Sequence, residues 1–331
     1  MSCFLFLTLW NTKANNRVFQ FLELPVSAYA ASMGGSNVAL IDDGVNNVFQ
    51  NPSLLGDTID NDLSISYSHY LSTANHGSVA YGKSWGKDFL AVGIRYLNYG
   101  SIDGRDEFNN SLGRFMAQDL AVSIGYARQL HRDVRIGVAL KPIYSNYAGY
   151  NSFSIAFDLG LTYYNKQIDL CTSLALLNVG RQIVALDSEL GTMPFNLVFS
   201  INKSFEKAPI RIHMTWHSLT DWNMDFVNNA TFPNKDKNVG ILSTVDTVFR
   251  HTIWGIDILP WKRRIRLSVS YDHRRAREMS LIDYRSIAGF SFGAGLTLTK
   301  FNAAFTASQY QSGVWNFQVT LGTNIDAWRK K

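Results

Sequence analysis

From Leu63 to Asn324 the chain repeats one device: segments of about ten residues in which apolar side chains alternate with polar or small ones. Period two marks a strand with one apolar face, because successive side chains of a strand point to opposite sides. Phe195, Leu197, Phe199 and Ile201 share one face, with Asn196, Val198, Ser200 and Asn202 on the other. Ile210, Ile212, Met214 and Trp216 oppose Arg211, His213, Thr215 and His217; Ile265, Leu267, Val269 and Tyr271 oppose Arg264, Arg266, Ser268 and Ser270. Ile155, Phe157, Leu159, Leu161 and Tyr163 oppose Ala156, Asp158, Gly160 and Thr162. Soluble strands average ~5–6 residues, whereas ~9–11 tilted residues cross a bilayer. Trp85, Tyr99, Tyr147, Tyr150, Trp261 and Tyr271 stand toward segment ends, where a lipid–water boundary would hold them. A large soluble β protein alternates too. Segment length and aromatic placement favour an all-β, transmembrane antiparallel β-barrel with an apolar outer wall and a polar lumen.

The runs number fourteen, at 63–72, 77–86, 89–99, 115–130, 134–145, 153–164, 168–178, 195–203, 210–217, 247–258, 264–273, 286–298, 301–310 and 314–324. Bacterial barrels have even strand numbers. Tight turns at 86–88, 131–133, 165–167, 260–263 and 299–300 alternate with longer links at 100–114, 146–152, 179–194, 218–246 and 274–285. Barrels of the outer membrane have short periplasmic turns and long external loops, so both chain ends are expected in the periplasm. Charged residues make up 17% of the 331, against roughly 25% in soluble domains. No apolar stretch approaches the ~18 residues of a spanning helix, and the wealth of aromatic residues excludes disorder. Two cysteines, Cys3 and Cys171, make neither a disulfide framework nor a zinc site.

Residues 1–14 read as a signal-peptide-like segment: an apolar core, Cys3 to Trp10, then a candidate cleavage site at Ala14, without the usual basic head. Residues 15–62 do not alternate. Gly34 and Gly35 precede Asp42 and Asp43, either of which could cap a short helix carrying Val45, Val48 and Phe49. Asn51-Pro52 would stop it. An apolar helix face favours packing inside the barrel, as an N-terminal plug. Gly93, Gly137, Gly160, Gly289, Gly293 and Gly295 on the lumen face would leave it room. The barrel proper is then 63–324.

The stretch Met33-Gly34-Gly35-Ser36-Asn37-Val38-Ala39-Leu40-Ile41-Asp42-Asp43, continued by Asn51-Pro52-Ser53-Leu54-Leu55, resembles the N-terminal plug of FadL-like barrels. Four further segments are similar, in order and spacing, to the PorV/PorQ family of the type IX secretion system. They are Phe21-Leu22-Glu23-Leu24-Pro25, Arg95-Tyr96-Leu97-Asn98-Tyr99-Gly100, Gly125-Tyr126-Ala127-Arg128-Gln129-Leu130 and Gly289-Phe290-Ser291-Phe292-Gly293-Ala294-Gly295. The likeness runs from about Phe19 to Asn324; the Asp-Asp and Asn-Pro signals occur throughout the superfamily. It implies a FadL-like outer-membrane barrel without a catalytic role. Such a barrel would anchor a surface partner, PorZ, in an attachment complex with PorU and PorV that links secreted cargo to lipopolysaccharide. One departure is the terminus: many outer-membrane proteins end on an aromatic residue, but here Trp328 is followed by Arg329-Lys330-Lys331, and 325–331 reads as a periplasmic tail.

Nothing in the residues supports an enzyme, a cofactor or a metal. His213 and His217 share a strand face ~13 Å apart, too far for one metal. Asp103, Asp106 and Glu107 crowd one external loop and read as a solvated acidic turn rather than a calcium site. Glycines from Gly289 to Gly295 sit at alternating strand positions with no phosphate-loop lysine behind them. Arg263, Arg264, Arg266, Arg274, Arg275 and Arg277 cluster without stacking aromatics, which argues against nucleic acid. Arg264 and Arg266 are expected in the lumen beside Asp158 or Asp169, and Arg274 to Arg277 outside, near lipopolysaccharide. Cys171 reads as an inert lumenal thiol.

Two functions follow. An adapter would grip a partner through the 218–246 link, whose Trp222, Phe226, Phe232 and Pro233 are candidate partner-binding residues. A FadL-like channel for hydrophobic small molecules would instead need an apolar route, which inward faces of Ser, Gly, Asn, Arg and Asp disfavour.

Overall fold

The computed structural model describes residues 17–70, 73–186, 190–222, 240–261, 263–278, 287–311 and 314–329. Among them, fourteen antiparallel strands close into one barrel in sequence order. They are β1 (Asp62–Tyr70), β2 (Ala74–Trp85), β3 (Asp88–Arg105), β4 (Ser111–His131), β5 (Val134–Tyr147), β6 (Tyr150–Asn165) and β7 (Leu170–Val184). Then follow β8 (Asn196–Ser204), β9 (Ile210–Trp216), β10 (Thr252–Ile258), β11 (Ile265–Asp272), β12 (Phe290–Thr297), β13 (Phe301–Gln311) and β14 (Val314–Asn324). β1 and β14 seal the wall, in register from Asp62 opposite Asn324 to His69 opposite Phe317. No sheet edge is left to pair with another chain.

The alternation is inside out relative to a soluble protein. Outward Ile65, Val79, Ile94, Leu159, Ile212, Ile256, Leu267 and Phe305 are exposed, while inward Ser66, Ser123, Asp158, Ser200, His213 and Asp257 are buried. Leaving a large aliphatic side chain in water rather than burying it costs about 1.5–3 kcal/mol, so a continuous outward band of them is solvated by lipid. The all-β antiparallel barrel expected from the sequence is the observed fold.

Two of the expected long links are strand instead. β3 and β4 run on past the bilayer length to a turn at 106–110, and β5 meets β6 across Ala148 and Gly149, both at positive φ (52° and 91°). Hairpins that project beyond the membrane keep every backbone group paired, so 100–114 and 146–152 need not be irregular. The run expected at 247–258 begins as helix, because Val245, Val248 and Phe249 carry helical spacing and Asp246 pairs with Arg250 four residues on, at 2.7 Å. The strand starts only at Thr252. β12 likewise starts at Phe290, after Gly289 at φ 96°, not at 286. Tyr99 and Tyr147 do not belong to an outer aromatic belt: they share the inward parity of Leu97 and Ser145 and donate to Asp119 at 2.7 and 2.8 Å.

Residues 18–61 lie inside the wall. Phe19, Phe21 and Leu22 pack on inward Leu97, Ala121 and Ile143; Val45, Val48, Phe49, Leu55 and Ile59 pack on inward Phe89, Ala91 and Ala127. A short helix α1 (Ala28–Ser32) is capped by Ser27, which accepts from Ala30 N at 3.0 Å. The one short helix expected here, carrying Val45, Val48 and Phe49, is a pair of tight 3-10 turns over Ile41–Phe49, broken at Gly44 (φ 61°, ψ −133°). Neither Asp42 nor Asp43 caps it, since Arg211 and Ser27 hold their carboxylates; Asp62 receives the Val45 amide instead, at 3.3 Å. Asn51 caps the next turn, Pro52–Leu54, accepting from Ser53 N at 3.1 Å.

Glycine makes the fit possible. A Cβ on Gly93 would overlap Phe49, and one on Gly293 would overlap Ser32. Gly137 and Gly160 face Pro52, Ser53 and Asn51 in the same way. Gly289 and Gly295 do otherwise than expected: they give room to Ala276 and Arg266 of the wall and its connections.

Candidate functional site

The lumen is the only place where this chain concentrates buried polar chemistry among the described residues, and the N-terminal segment organises it. Four inward cations clamp the segment. Arg95 donates to the carbonyls of Leu22 (3.0 Å) and Phe49 (3.2 Å) and lies over the Phe49 ring. Lys141 reaches the Phe49 carbonyl at 3.3 Å and pairs with buried Asp158. Arg135 takes the Leu54 and Leu55 carbonyls at 3.1 and 2.8 Å. Arg211 binds Asp42 at 2.6 Å and Tyr29 Oη at 3.2 Å. Carbonyls left free where short helical turns end are natural acceptors for such groups.

A second network centres on Asp257, which is fully buried. It accepts from Tyr29 Oη (2.8 Å) and Ser268 Oγ (2.6 Å), and its Oδ2 lies 2.8 Å from His213 Nε2. Asn37 Nδ2 stands 3.5 Å from His213 Nδ1, so no hydroxyl nucleophile meets that ring nitrogen. The group orients the segment rather than forming a catalytic relay.

Above the segment, at the rim of the long connections, lies a chamber of about 460 Å³. Its floor is Phe21, Leu22, Leu24, Pro25 and the Gly34–Gly35 turn; its wall includes Leu97, Leu177 and Val198. Its upper edge carries Arg274 and Arg275 of helix α3 (His273–Glu278), after α2 (Gly240–Arg250) in the preceding connection. Glu23 faces this space, and partial removal from water holds its carboxyl above the usual range despite the attraction of Arg17 and Arg274.

The sequence-derived site residues fall out as follows. Gly34 and Gly35, at φ 81° and 94°, form the turn under the chamber, where Arg275 donates to Gly34 O at 3.2 Å and Gln50 to Gly35 O at 3.0 Å. Asp42, Asp43, Asn51 and Pro52 all meet the wall or the segment itself, as described. Trp222 is half-exposed on the same rim, 4.3 Å from the His251 ring. Phe226, Phe232, Pro233 and residues 1–14 lie outside the described residues.

The arginine pairings differ from those expected. Arg264 is exposed and stacks on Trp261; Arg266 faces inward but lies 3.3 Å over the Tyr29 ring. Asp158 instead pairs with Lys141 and Asp169 with Arg263. Arg274 and Arg275 turn toward the chamber, and only Arg277 stays outermost, against Asp246 at 3.3 Å. Asp103 pairs with Arg114 at 2.9 Å, while Asp106 closes its own turn on Phe108 N and Asn110 N. Cys171 is buried near Ala39 and Leu54. Sequence reasoning missed Arg95, Arg135 and Lys141 as clamps. The signal was present: each is a cation at an inward position of a strand whose inward residues are otherwise uncharged, small or apolar ones chief among them.

Burial of Asp43 raises its pKa to about 7, against the lowering effect of the Ser27 hydrogen bond (2.5 Å) and of Arg266. A folded-state pKa above the unfolded value means that the protonated form supports the packed segment. That support is complete below the unfolded pKa and is lost as pH rises through about 7. The protection of residues 27–48 against hydrogen exchange, corrected for the intrinsic rise of amide exchange with pH, is therefore expected to fall from about pH 5 to about pH 8, and Asp43→Asn to abolish the fall. Equal pH dependence in both proteins would contradict this.

No protein-family model matches the sequence, and neither does any curated protein sequence. Solved structures do match in shape. CymD, described as a monoaromatic hydrocarbon channel, is 12% identical; the match covers 91% of this chain and 96% of that one, with a TM-score of 0.52. A deltaS2S3 mutant of the monoaromatic hydrocarbon channel TodX is 12% identical over 91% of this chain and 99% of that one, with a TM-score of 0.53. The likeness is one of fold: this chain shares the barrel of these channels. A Pseudomonas aeruginosa FadL homologue is also similar, at 9% identity, 90% and 98% coverage and a TM-score of 0.48.

Proposed function

We propose that this chain is an outer-membrane channel of the FadL type, which takes a small hydrophobic molecule into the chamber above its N-terminal segment. The chamber carries this reading. Its volume of about 460 Å³ falls in the range of ligand sites, and Phe21, Leu22, Leu24, Leu97, Leu177 and Val198 give it an apolar patch, beside the polar groups of Glu23, Lys141, Asn178, Arg274 and Arg275. The rim of long connections is then extracellular and the chain ends periplasmic. CymD and TodX, which share the fold, are described as hydrocarbon channels. Purified protein in detergent is expected to bind a labelled monoaromatic hydrocarbon or long-chain fatty acid, and liposomes carrying it to take up the fatty acid. Leu177→Asp is expected to weaken binding by about tenfold, or ~1.4 kcal/mol. Binding that ignores this substitution, or none at all, refutes the proposal.

A second reading is an adapter like those of the PorV/PorQ family, holding a PorZ-like surface protein beside PorU and PorV of the type IX secretion system. The four cationic clamps favour it, since they fix the segment in place. So does the apolar cluster of Trp222, Val245, Val248 and Phe249, each about half-exposed on the long-connection rim. Deleting 222–234 is expected to release a large surface β protein from native outer-membrane pull-downs while the barrel stays inserted. Undiminished recovery of the complex defeats this reading.

A further inference from the structure

Solvent also reaches the lumen from below. At the tight-turn rim Asn302, whose side chain faces inward against Gly322, is exposed; Gly295 and Ala304 beside it are partly exposed, as is Asp42 of the segment. Along β11–β14, α1 stands between that rim and the chamber, and it packs against β12, β13 and β14.

This partition is thin, neutral and poorly satisfied. Ser32 of α1 sits on Gly293, with no side chain between helix and strand. Ser270, Ser291 and Ser308 form one cross-strand row leading to Asn316. Their hydroxyls, and Oε1 of Gln318, have no protein hydrogen-bond partner, although each residue is at most 2% exposed. Buried polar groups are normally satisfied, and where protein supplies no partner the natural one is water. The opposite wall grips the segment with charged clamps. Here α1 is tied by neutral hydrogen bonds: Ala28 N to Thr320 Oγ1 at 2.8 Å, Thr306 Oγ1 to Ala28 O, and Gln318 Nε2 to Pro25 O at 3.3 Å. Tyr29 is the fixed point, held by Asp257 at its hydroxyl and by Arg266 over its ring.

We propose that α1 is a gate for water and small uncharged polar solutes. Turning about Tyr29, it parts from β12–β14 and joins the chamber to the tight-turn rim, and the row of serine hydroxyls takes up the hydrogen bonds of the passing molecule. Opening exchanges unpartnered hydroxyls for hydrated ones, which lowers its cost, and no charged clamp has to break on this wall. The gate lies beside the chamber's apolar patch rather than in it, so this passage does not require a hydrophobic molecule to bind there.

The test uses phosphatidylcholine liposomes containing the full chain with Cys3→Ser, in isosmotic urea or glycerol. Swelling is expected to be severalfold faster than in protein-free liposomes. A Ser32→Cys/Gly293→Cys pair, whose Cβ atoms would overlap and must part to about 3.8 Å for a disulfide, is expected to reduce swelling to the protein-free rate when oxidised and to restore it when reduced. Ser308→Leu, which fills the path without a crosslink, is expected to slow swelling by more than half. Heat-modifiable electrophoretic mobility identifies folded barrel in each preparation. Swelling no faster than in protein-free liposomes overturns the proposal. So do equal rates with the disulfide formed and reduced, or, should the disulfide not form, an unchanged rate in folded Ser308→Leu.

Discussion

Gly137→Val is expected to expel the N-terminal segment from the lumen while the barrel remains closed. A Cβ at Gly137 would fall on the backbone of Pro52 and Ser53, which cannot swing aside as a side-chain tip can. The neighbouring carbonyls of Leu54 and Leu55 are pinned by Arg135, so that turn cannot retreat by a small shift. Overpacking of a core that can relax costs about 1–3 kcal/mol; here relaxation is blocked and the branched side chain adds two further methyls. The hydrogen bonds of β5 to β4 and β6 do not involve the side chain, so the wall survives. In planar bilayers the variant is expected to show large, steady conductance where the wild type is nearly closed, and protease added from the tight-turn side is expected to cleave within 40–60. Gly77→Ala is the control: its added Cβ would come no nearer than 3.7 Å to Ser66 O, and no change is expected. A Gly137→Val barrel as silent as wild type would mean that the segment does not close the lumen.

The wall was legible because a membrane barrel writes its geometry into parity. Apart from bulges such as the one at Asn178 (φ 58°), the strands alternate, so Ile212 or Leu267 could be assigned to lipid and His213 or Ser268 to the lumen from neighbours alone. Ends were less legible. At Val245–Arg250 a helical repeat abuts a strand repeat, and both read as apolar runs until Asp246 finds Arg250. Hairpins beyond the bilayer lose the apolar signal but keep the hydrogen bonds, so the outer parts of β3 and β4 looked like loops. The site was legible only in part. Glycines at inward positions pointed to a packed interior, and Gly93, Gly137 and Gly160 do face the segment. Pairings were not legible, since Asp158 has several inward cations within sequence-plausible reach and only strand register decides for Lys141, two residues along β5 from Ala139, which stands opposite Asp158. Chamber residues such as Leu177 and Val198 come from strands far from the floor in sequence, and periodicity carries no information on what lies opposite across a lumen.

Register also decides which buried charge matters most. Asp158 is the anion between two cations: it pairs with Lys141, and its charge acts on Arg95 as well. All three side chains are essentially withdrawn from solvent. Breaking a buried pair by removing one partner costs about 3–5 kcal/mol, because the other charge stays buried without compensation. The two halves of this pair are not equivalent. Lys141→Met leaves Asp158 facing Arg95 and still accepting from Asn178 N at 2.8 Å. Asp158→Asn leaves Arg95 and Lys141 buried together with no anion between them, and both still turned toward Phe49 O. Asp158→Asn is therefore expected to be the more damaging, by at least ~1 kcal/mol beyond the loss in Lys141→Met. The double variant Lys141→Met/Asp158→Asn, which removes one cation with the anion, is expected to recover stability relative to Asp158→Asn alone, a coupling that only neighbours show. Urea unfolding of the barrel in detergent micelles, followed by loss of heat-modifiable mobility, measures all three. If Lys141→Met proves the more harmful single change, the carboxylate is not what holds these cations in the lumen, and the clamp on the N-terminal segment rests on the backbone carbonyls alone.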